Sequence, residues 1–159
     1  MEWNDWLLAL HVLSAFALAG AIVFFWAVVF ALRRAEASEE IASVGRLMPI
    51  GTIVVGIGSV GALVFGIWLA IALDGVQVWD GWVIAAIVLW AVAAETGRRS
   101  GEAFGEGIKK AAADVAEGRT GPDPEAQALV RSSHALMLHT AATVVVVLIL
   151  ADMIWKPGS

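Results

Sequence analysis

The stretch VVGIGSVGALVFG, from Val54 to Gly66, lies inside a long uncharged segment and decides the fold. Three of its four glycines, Gly56, Gly58 and Gly61, have the GxGxxG spacing of a turn that binds a dinucleotide between a strand and a helix. In such a fold the helix after the turn needs a polar face, whereas residues 62–70 are all apolar or glycine. We therefore interpret these glycines as the middle of a membrane helix, and not as a nucleotide site.

The composition supports this interpretation for the whole chain. Of the 159 residues, 60% are hydrophobic and only 16% are charged, whereas a soluble domain is about half apolar and about a quarter charged. The mean hydropathy is +0.82. The chain contains no cysteine, which excludes disulfides, thiolate metal sites and cysteine nucleophiles.

Four segments are apolar over the length of about 20 residues that a helix needs to cross a bilayer. We predict spans near residues 5–32, 47–73, 79–97 and 130–155, all in a single integral membrane domain. The first span is not a cleaved signal, because no cation precedes it and its apolar core is too long. The predicted fold class is all-α, a transmembrane four-helix bundle with a cytoplasmic helical loop at residues 98–129 between helices three and four.

The cations predict the orientation of the chain. All lysines and arginines except Lys156 lie in the two connections on one side of the predicted spans. Because cytoplasmic loops carry the excess of cations, we predict a multi-pass protein of the cell membrane with both termini on the outer side. An aromatic belt is expected at the outer interface, formed by Trp3, Trp6, Trp79, Trp82 and Trp155.

Small residues recur at every fourth position of the second span, at Gly58, Ala62, Gly66 and Ala70. In lipid, helices associate through close packing, and small residues mark the faces that approach closely. We predict that this stripe is a helix-packing face. Packing within the chain is the preferred interpretation, and formation of a homo-oligomer is the alternative.

Two helical segments are expected in the connection between spans three and four. The pattern of residues 103–117 predicts a helix that either lies on the cytoplasmic surface or extends span three, with a solvated spacer as the alternative. Asp123, Pro124 and Glu125 provide an N-cap, a proline at the first helical position and an acidic first turn. We expect a helix that starts at Pro124 and continues to Trp155.

Three histidines are the candidate ligands, because an ionisable residue inside a membrane suggests a functional site. We predict that His11 in span one and His139 in span four bind a cofactor, either a b-type haem or copper. Their predicted depths differ by roughly 16 Å, which favours two separate sites over one haem bridging both residues. The alternative for each histidine is a role in helix contacts.

The string HALMLH contains a further candidate metal pair. His134 and Met137 are three positions apart on one helix face, and imidazole with thioether suits copper(I) or haem iron. Asp152 is predicted to lie level with His11 and to fix its tautomer through a hydrogen bond. Alternatively, Asp152 is solvated and His11 bonds to a backbone carbonyl.

The chain resembles the small integral membrane proteins catalogued as domain of unknown function 2269. The resemblance lies in LLALHVLSAFALAG (7–20), GIWLAIAL (66–73), GWVIAAIVLW (81–90), GPDPEAQALVR (121–131) and ADMIWKPGS (151–159). The LHVLSA segment is also similar to the first helix of the copper-resistance D family and of small haem-binding membrane oxidases. That similarity implies a metal or haem role for His11.

The sequence shows no catalytic triad, phosphate loop or nucleic-acid surface, so we predict no catalytic residues and no nucleic-acid partner. The first hypothesis is a non-enzymatic subunit in the lipid bilayer that binds haem b or copper through its membrane histidines. The second is a structural or assembly scaffold for a partner membrane subunit. A small-solute carrier is less favoured, because there is no polar path through the bundle.

Overall fold

The computed structural model describes residues 3–73 and 76–156, with only the backbone of Trp3, and these residues form six helices. Four helices are long and apolar enough to cross a membrane. The described residues contain no strand, only an isolated bridge between Ala37 and Pro122. The prediction of an all-α four-helix bundle is confirmed. The helices are α1 (Trp3–Arg34), α2 (Ser38–Gly45), α3 (Met48–Ala72), α4 (Gly81–Ala116), α5 (Pro124–Val130) and α6 (Ser133–Trp155).

The long helices pack as two pairs, α1 along α3 and α4 along α6. Between the pairs, side chains provide specific bonds. The indole Nε1 of Trp26 on α1 donates to Thr143 Oγ1 on α6 at 3.1 Å. The indole Nε1 of Trp90 on α4 donates to Ser59 Oγ on α3 at 2.8 Å. Each indole N–H thus has a partner in an apolar region where an unpaired donor is costly.

The third span continues without interruption into the predicted loop, since α4 extends to Ala116. Of the two helical interpretations of residues 103–117, extension of span three is therefore correct. The expected apolar face is buried at Phe104 and Ala111, which are 1% and 0% exposed. This face packs against α2 and α5, which is why the helix remains helical outside the apolar segment.

The helix expected from Pro124 to Trp155 forms one candidate span of 32 residues, but a turn at Arg131 and Ser132 interrupts it and divides it into α5 and α6. The start is as predicted: the Asp123 side chain accepts a bond from the Glu125 N–H at 2.9 Å. A second cap was missed, since Ser132 Oγ accepts from the N–H of Ala135 at 3.4 Å and starts α6. Helix α2 was also missed.

The charged end of the bundle forms a compact helical unit, which we call the cap. It comprises α2, α5, the parts of α1 and α4 that follow Ala27 and Arg98, and residues 133–137 of α6. Its interior contains two hydrophobic clusters, one formed by α1, α2, α4 and α5 and the other by α1, α4 and α6. The core residues include Val28, Val29, Leu32, Ile41, Ala42, Phe104, Ala111, Ala126, Val130 and Ala135.

Two arginines form reciprocal hydrogen bonds that join the end of α1 to the end of α5. Arg33 Nη1 donates to the carbonyl of Arg131 at 2.8 Å, and Arg131 Nε donates to the carbonyl of Arg33 at 3.1 Å. The N–H of Ser38 donates to the carbonyl of Gly121 at 2.9 Å. These bonds satisfy carbonyls left free at helix ends, so they tie the α1–α2 corner to the connection around α5.

A buried carboxylate lies beside this corner. Asp114 is 4% exposed, and it accepts hydrogen bonds from Arg119 and, at 3.4 Å, from Ser38 Oγ. The pKa of Asp114 lies below its usual value for two main reasons. The larger is the hydrogen bond from the Arg119 guanidinium, and the second is a side-chain hydrogen bond with Asp123. Nearby, Lys110 pairs with Asp123 and Glu125 at 3.4 and 3.1 Å. The cap therefore provides partners for the charges that it encloses.

Candidate cofactor site around the membrane histidines

His11 is held between α1 and α3 by one hydrogen bond. Its Nδ1 lies 3.0 Å from the carbonyl oxygen of Ala62, and the imidazole is half-buried. A carbonyl oxygen can only accept, so Nδ1 carries the proton. In the neutral ring this leaves the lone pair on Nε2. The tautomer is thereby the one in which Nε2 can bind a metal ion.

The small-residue stripe provides the space for this imidazole. A Cβ atom placed on Gly66 would lie 2.9 Å from His11 Cε1, so the ring occupies the room left by the glycine. About two helical turns away, a Cβ on Gly58 would lie 2.6 Å from the backbone nitrogen of Leu18. Ala70 is 4% exposed. The stripe thus faces α1 of the same chain and brings the Ala62 carbonyl within reach of His11.

The hydrogen bond at Nδ1 matches what metal sites require of a histidine. Histidines that bind metals generally donate their other ring N–H to a carboxylate, a backbone carbonyl or a water molecule, which orients the ring. Ala62 supplies that acceptor for His11. Imidazole nitrogen is a common ligand of both haem iron and copper, so the donor fits either group.

The structure does not pair His11 with Asp152, so this part of the sequence prediction is corrected. His11 binds the Ala62 carbonyl instead, as in the alternative that the sequence left open. The reason is the pairing of helices: α1 packs along α3, while Asp152 lies on α6, which packs along α4. The Oδ2 atom of Asp152 is buried without a hydrogen-bond partner among the described residues.

His139 lies between aromatic rings in the centre of the bundle. Its ring centroid is 4.7 Å from that of Trp26 and 6.4 Å from that of Phe104, both in edge-to-face geometry. Its Nε2 is buried and has no hydrogen-bond partner in the described part of the chain. Thr143, which accepts from Trp26, donates to the carbonyl of His139 at 3.0 Å. Aromatic rings therefore flank His139, and none of the described residues forms a hydrogen bond with its Nε2.

The two predicted cofactor ligands are far apart. His139 is level with Trp26, and Trp26 lies on the same continuous helix as His11. The fifteen residues between His11 and Trp26 correspond to about 22 Å along the helix axis. One cofactor cannot bind both imidazoles at this separation, so each histidine represents a separate candidate site.

His134 and Met137 lie on the outside of the bundle. Met137 is 60% exposed and lines an open apolar groove of α6, and His134 is also exposed. Across residues 3–73 and 76–156, no group of three or more His, Cys, Asp or Glu side chains could hold a metal ion. A metal at this pair would therefore need further ligands that are not His, Cys, Asp or Glu of the described residues.

Sequence reasoning missed that the small-residue stripe and His11 form one unit. The available signal was depth: at 1.5 Å per residue in an antiparallel pair, His11 falls opposite Gly66.

The exposure of the tryptophans agrees in part with the aromatic belt predicted for the outer interface. Trp6, Trp79 and Trp155 are 54%, 68% and 76% exposed, whereas Trp82 is buried at 8%. The side chain of Trp3 lies outside the described residues.

The fold and the family agree. No curated protein and no solved structure matches the chain. A family model described as predicted integral membrane protein matches residues 5–157, which is nearly the whole chain. With four helices of membrane-spanning length, the chain is an integral membrane protein and belongs to the family of domain of unknown function 2269.

Proposed function

We propose that this protein is a membrane subunit that binds one metal cofactor, haem b or copper, through Nε2 of His11. The observation that carries the proposal is the 3.0 Å bond between Nδ1 and the Ala62 carbonyl. It fixes the tautomer and the orientation of the ring, which are the two properties that a ligating histidine needs before the metal arrives. The proposed role of His11 is to bind the cofactor.

His11 is favoured over His139 for a physical reason. The Gly66 position leaves room for the His11 ring, and its Nδ1 has an acceptor. His139 Nε2 has no hydrogen-bond partner among the described residues, and the ring packs against Trp26 and Phe104. A cofactor at His139 would have to displace an indole, so it remains the second candidate ligand. The orientation proposed from the cations, with the cap in the cytoplasm, would place His11 toward the outer surface.

The test is the oxidised and reduced absorption spectrum of protein purified in mild detergent, with metal analysis of the same sample. Haem and copper are supplied during expression. We expect a haem or copper signal in the wild type that disappears in His11→Ala. The matched control is His134→Ala, which removes an exposed imidazole and should keep the signal.

A third variant separates the loss of a ligand from the loss of the fold. In Gly66→Ala the histidine remains, but the new Cβ would lie 2.9 Å from His11 Cε1 and must displace the ring. We expect reduced cofactor content with the helical circular dichroism spectrum unchanged. A folded wild-type protein without colour or metal would contradict the proposal and would favour the structural scaffold.

A further inference from the structure

Contacts between helices show which residues share a level along the bundle axis. A Cβ on Gly51 of α3 would lie 2.8 Å from Phe24 and 2.9 Å from Phe25 of α1. Trp26, one residue farther along α1, packs on His139 of α6. On α4, Ser100 Oγ donates to the carbonyl of Ala135, one turn from His139. Phe25, Gly51 and His139 therefore lie near one plane, which α4 crosses a little before Ser100.

On α4 the charged residue Glu95 lies at this plane, and the first arginines lie just beyond it. Arg46 precedes Gly51 by five residues, or about 7.5 Å along a helix axis. Arg98 and Arg99 come directly before Ser100 in α4, and both side chains are more than half exposed. The polar headgroup layer of a bilayer is about 5–7 Å thick on each side of the hydrocarbon. These three arginines therefore lie at the depth of the headgroups if the hydrocarbon ends at the plane.

The lengths of the helices support that position. From the plane to the opposite end, α1 between Trp6 and Phe25 and α3 between Gly51 and Ala72 extend roughly 28–32 Å at helical rise. The segments Gly81–Arg98 of α4 and Leu138–Trp155 of α6 extend roughly 26 Å each. All four lengths match a hydrocarbon core of about 30 Å. The longer spans predicted from composition, 5–32 and 130–155, include residues that the cap buries in its own core.

We propose that the bilayer surface crosses the protein at an arginine belt, formed by Arg46, Arg98 and Arg99, which binds the phosphates of anionic lipid headgroups. The cap then lies wholly outside the hydrocarbon as a folded helical unit. Guanidinium groups suit this partner, because their planar fork matches phosphate oxygens. This surface is separate from the His11 site and does not depend on a cofactor.

The charges of the belt are not equally available. Arg98 binds Glu95 and Glu102 on its own helix, and Arg99 binds Glu95. Arg46 forms no ion pair within residues 3–73 and 76–156, and its side chain is exposed at the α2–α3 corner. Arg46 is therefore the residue most available to a lipid phosphate.

The position of the boundary can be tested with single cysteines, since the chain has none of its own. Ala31 and Ser133 are exposed and lie within the predicted apolar spans, yet beyond the arginine belt on the cap side. Val23 and Val147 are 71% and 57% exposed on the membrane side of it. Each is changed to cysteine and treated in lipid vesicles with a membrane-impermeant maleimide on both sides.

We expect fast labelling of Ala31→Cys and Ser133→Cys, and no labelling of Val23→Cys and Val147→Cys until detergent is added. Labelling in SDS shows that every thiol is reactive. If Ala31→Cys and Ser133→Cys are as protected as the two valine positions, the bilayer covers this part of the cap and the proposal is overturned.

The lipid contact is tested by thermal unfolding in nanodiscs of phosphatidylglycerol and of phosphatidylcholine. We expect a Tm higher by about 2–4 °C in the anionic lipid, which corresponds to one favourable charge contact in a chain of this size. Arg46→Gln should remove this difference. The control Arg34→Gln lies about 14 Å beyond Phe25, outside the headgroup layer, and should keep it. The role of the arginine belt would be overturned if the wild type had the same Tm in both lipids. It would also be overturned if Arg46→Gln kept the higher Tm in phosphatidylglycerol.

Discussion

The cap differs from the rest of the long helices in the forces that hold it together. We call the second region the membrane half; it comprises α3 and the parts of α1, α4 and α6 that lie outside the cap. In the cap, Leu32, Ile41, Ala111, Ala126 and Val130 are each 0% exposed. In the apolar windows of the four candidate spans, only between 6% and 22% of the residues are buried. Water drives apolar side chains into a core, whereas lipid tails solvate these side chains as well as a protein core does. The difference suggests that the membrane half relies on backbone contact and a few hydrogen bonds.

Polar groups differ between the two regions as well. The buried carboxylate of Asp114 in the cap receives bonds from Arg119 and Ser38. In the membrane half, His139 Nε2 and Asp152 Oδ2 are buried without a hydrogen-bond partner in the described structure. Asp123 Oδ2 at the start of α5 also lacks a hydrogen bond there, but it lies 3.4 Å from Lys110 Nζ and so has an ionic partner. Unsatisfied polar atoms are costly in an apolar environment, so they mark where the membrane half is not optimised for stability alone.

The largest effect expected from this comparison is for Phe104→Ala in the cap core. Phe104 is 1% exposed, and the cavity should reduce the free energy of unfolding by about 3–5 kcal/mol. The matched change Phe16→Ala removes a ring that is 72% exposed on the membrane side and should change it by less than about 0.5 kcal/mol. Equilibrium unfolding of both variants checks this. Equal losses would contradict the distinction between the two regions.

A smaller effect is expected for Gly58→Ala in the membrane half. The new Cβ would lie 2.6 Å from the backbone of Leu18, so α1 and α3 must separate. We expect a loss of about 1–3 kcal/mol, typical of an overpacked interface. Gly56→Ala on the same helix meets nothing within 4 Å and should cause no loss. If the two variants unfold alike, backbone contact is not what holds this pair together.

The next effect in size concerns the bond between the two helix pairs. Trp26→Phe keeps an aromatic ring beside His139 but removes the donor to Thr143 Oγ1. We expect a loss of about 1 kcal/mol in the free energy of unfolding, the usual value of one hydrogen bond. Trp79→Phe, in which the replaced ring is 68% exposed, serves as the control. A loss of the same size in both would show that the bond contributes nothing.

The smallest expected effect is the pH dependence of the cap. The pKa of Asp114 is lowered from 3.8, mainly by the Arg119 bond. Its contribution to stability is therefore present above the unfolded-state pKa and is lost as the pH falls through the lower folded-state pKa. We expect Tm to fall below about pH 4 in the wild type, and this fall to be weaker in Asp114→Asn. Glu106→Gln, at an exposed site of the same helix, should behave as the wild type. A pH profile of Asp114→Asn that matches the wild type would contradict this role of the carboxylate.

The sequence was sufficient for the features that periodicity and composition determine. Four apolar segments predicted four long helices, and Asp123 with Pro124 predicted the start of α5. The break at Ser132 was not predicted, because a lone serine inside an apolar pattern is a weak signal against a continuous helix. The cap was missed because its core residues are apolar like those of a span, so composition alone assigned Val28, Val29 and Ala135 to the membrane.

The candidate site was predictable only in part. His11 was identified because a histidine inside an apolar helix is unusual. Its partner was not, since the choice between Asp152 and the Ala62 carbonyl depends on whether α1 packs along α6 or α3. Depth along the helix axis places His11 level with Asp152 and with Ala62, but depth alone does not specify which helix lies beside α1.

The most direct test of the proposed ligand is rescue by free imidazole. In His11→Gly the side chain is replaced by a space next to Gly66, and the Ala62 carbonyl remains. If Nε2 of His11 binds the cofactor, the variant should lose the haem or copper spectrum and regain it when imidazole is added. His139→Gly should keep the spectrum without imidazole. A His11→Gly variant that retains its cofactor would contradict the proposed site.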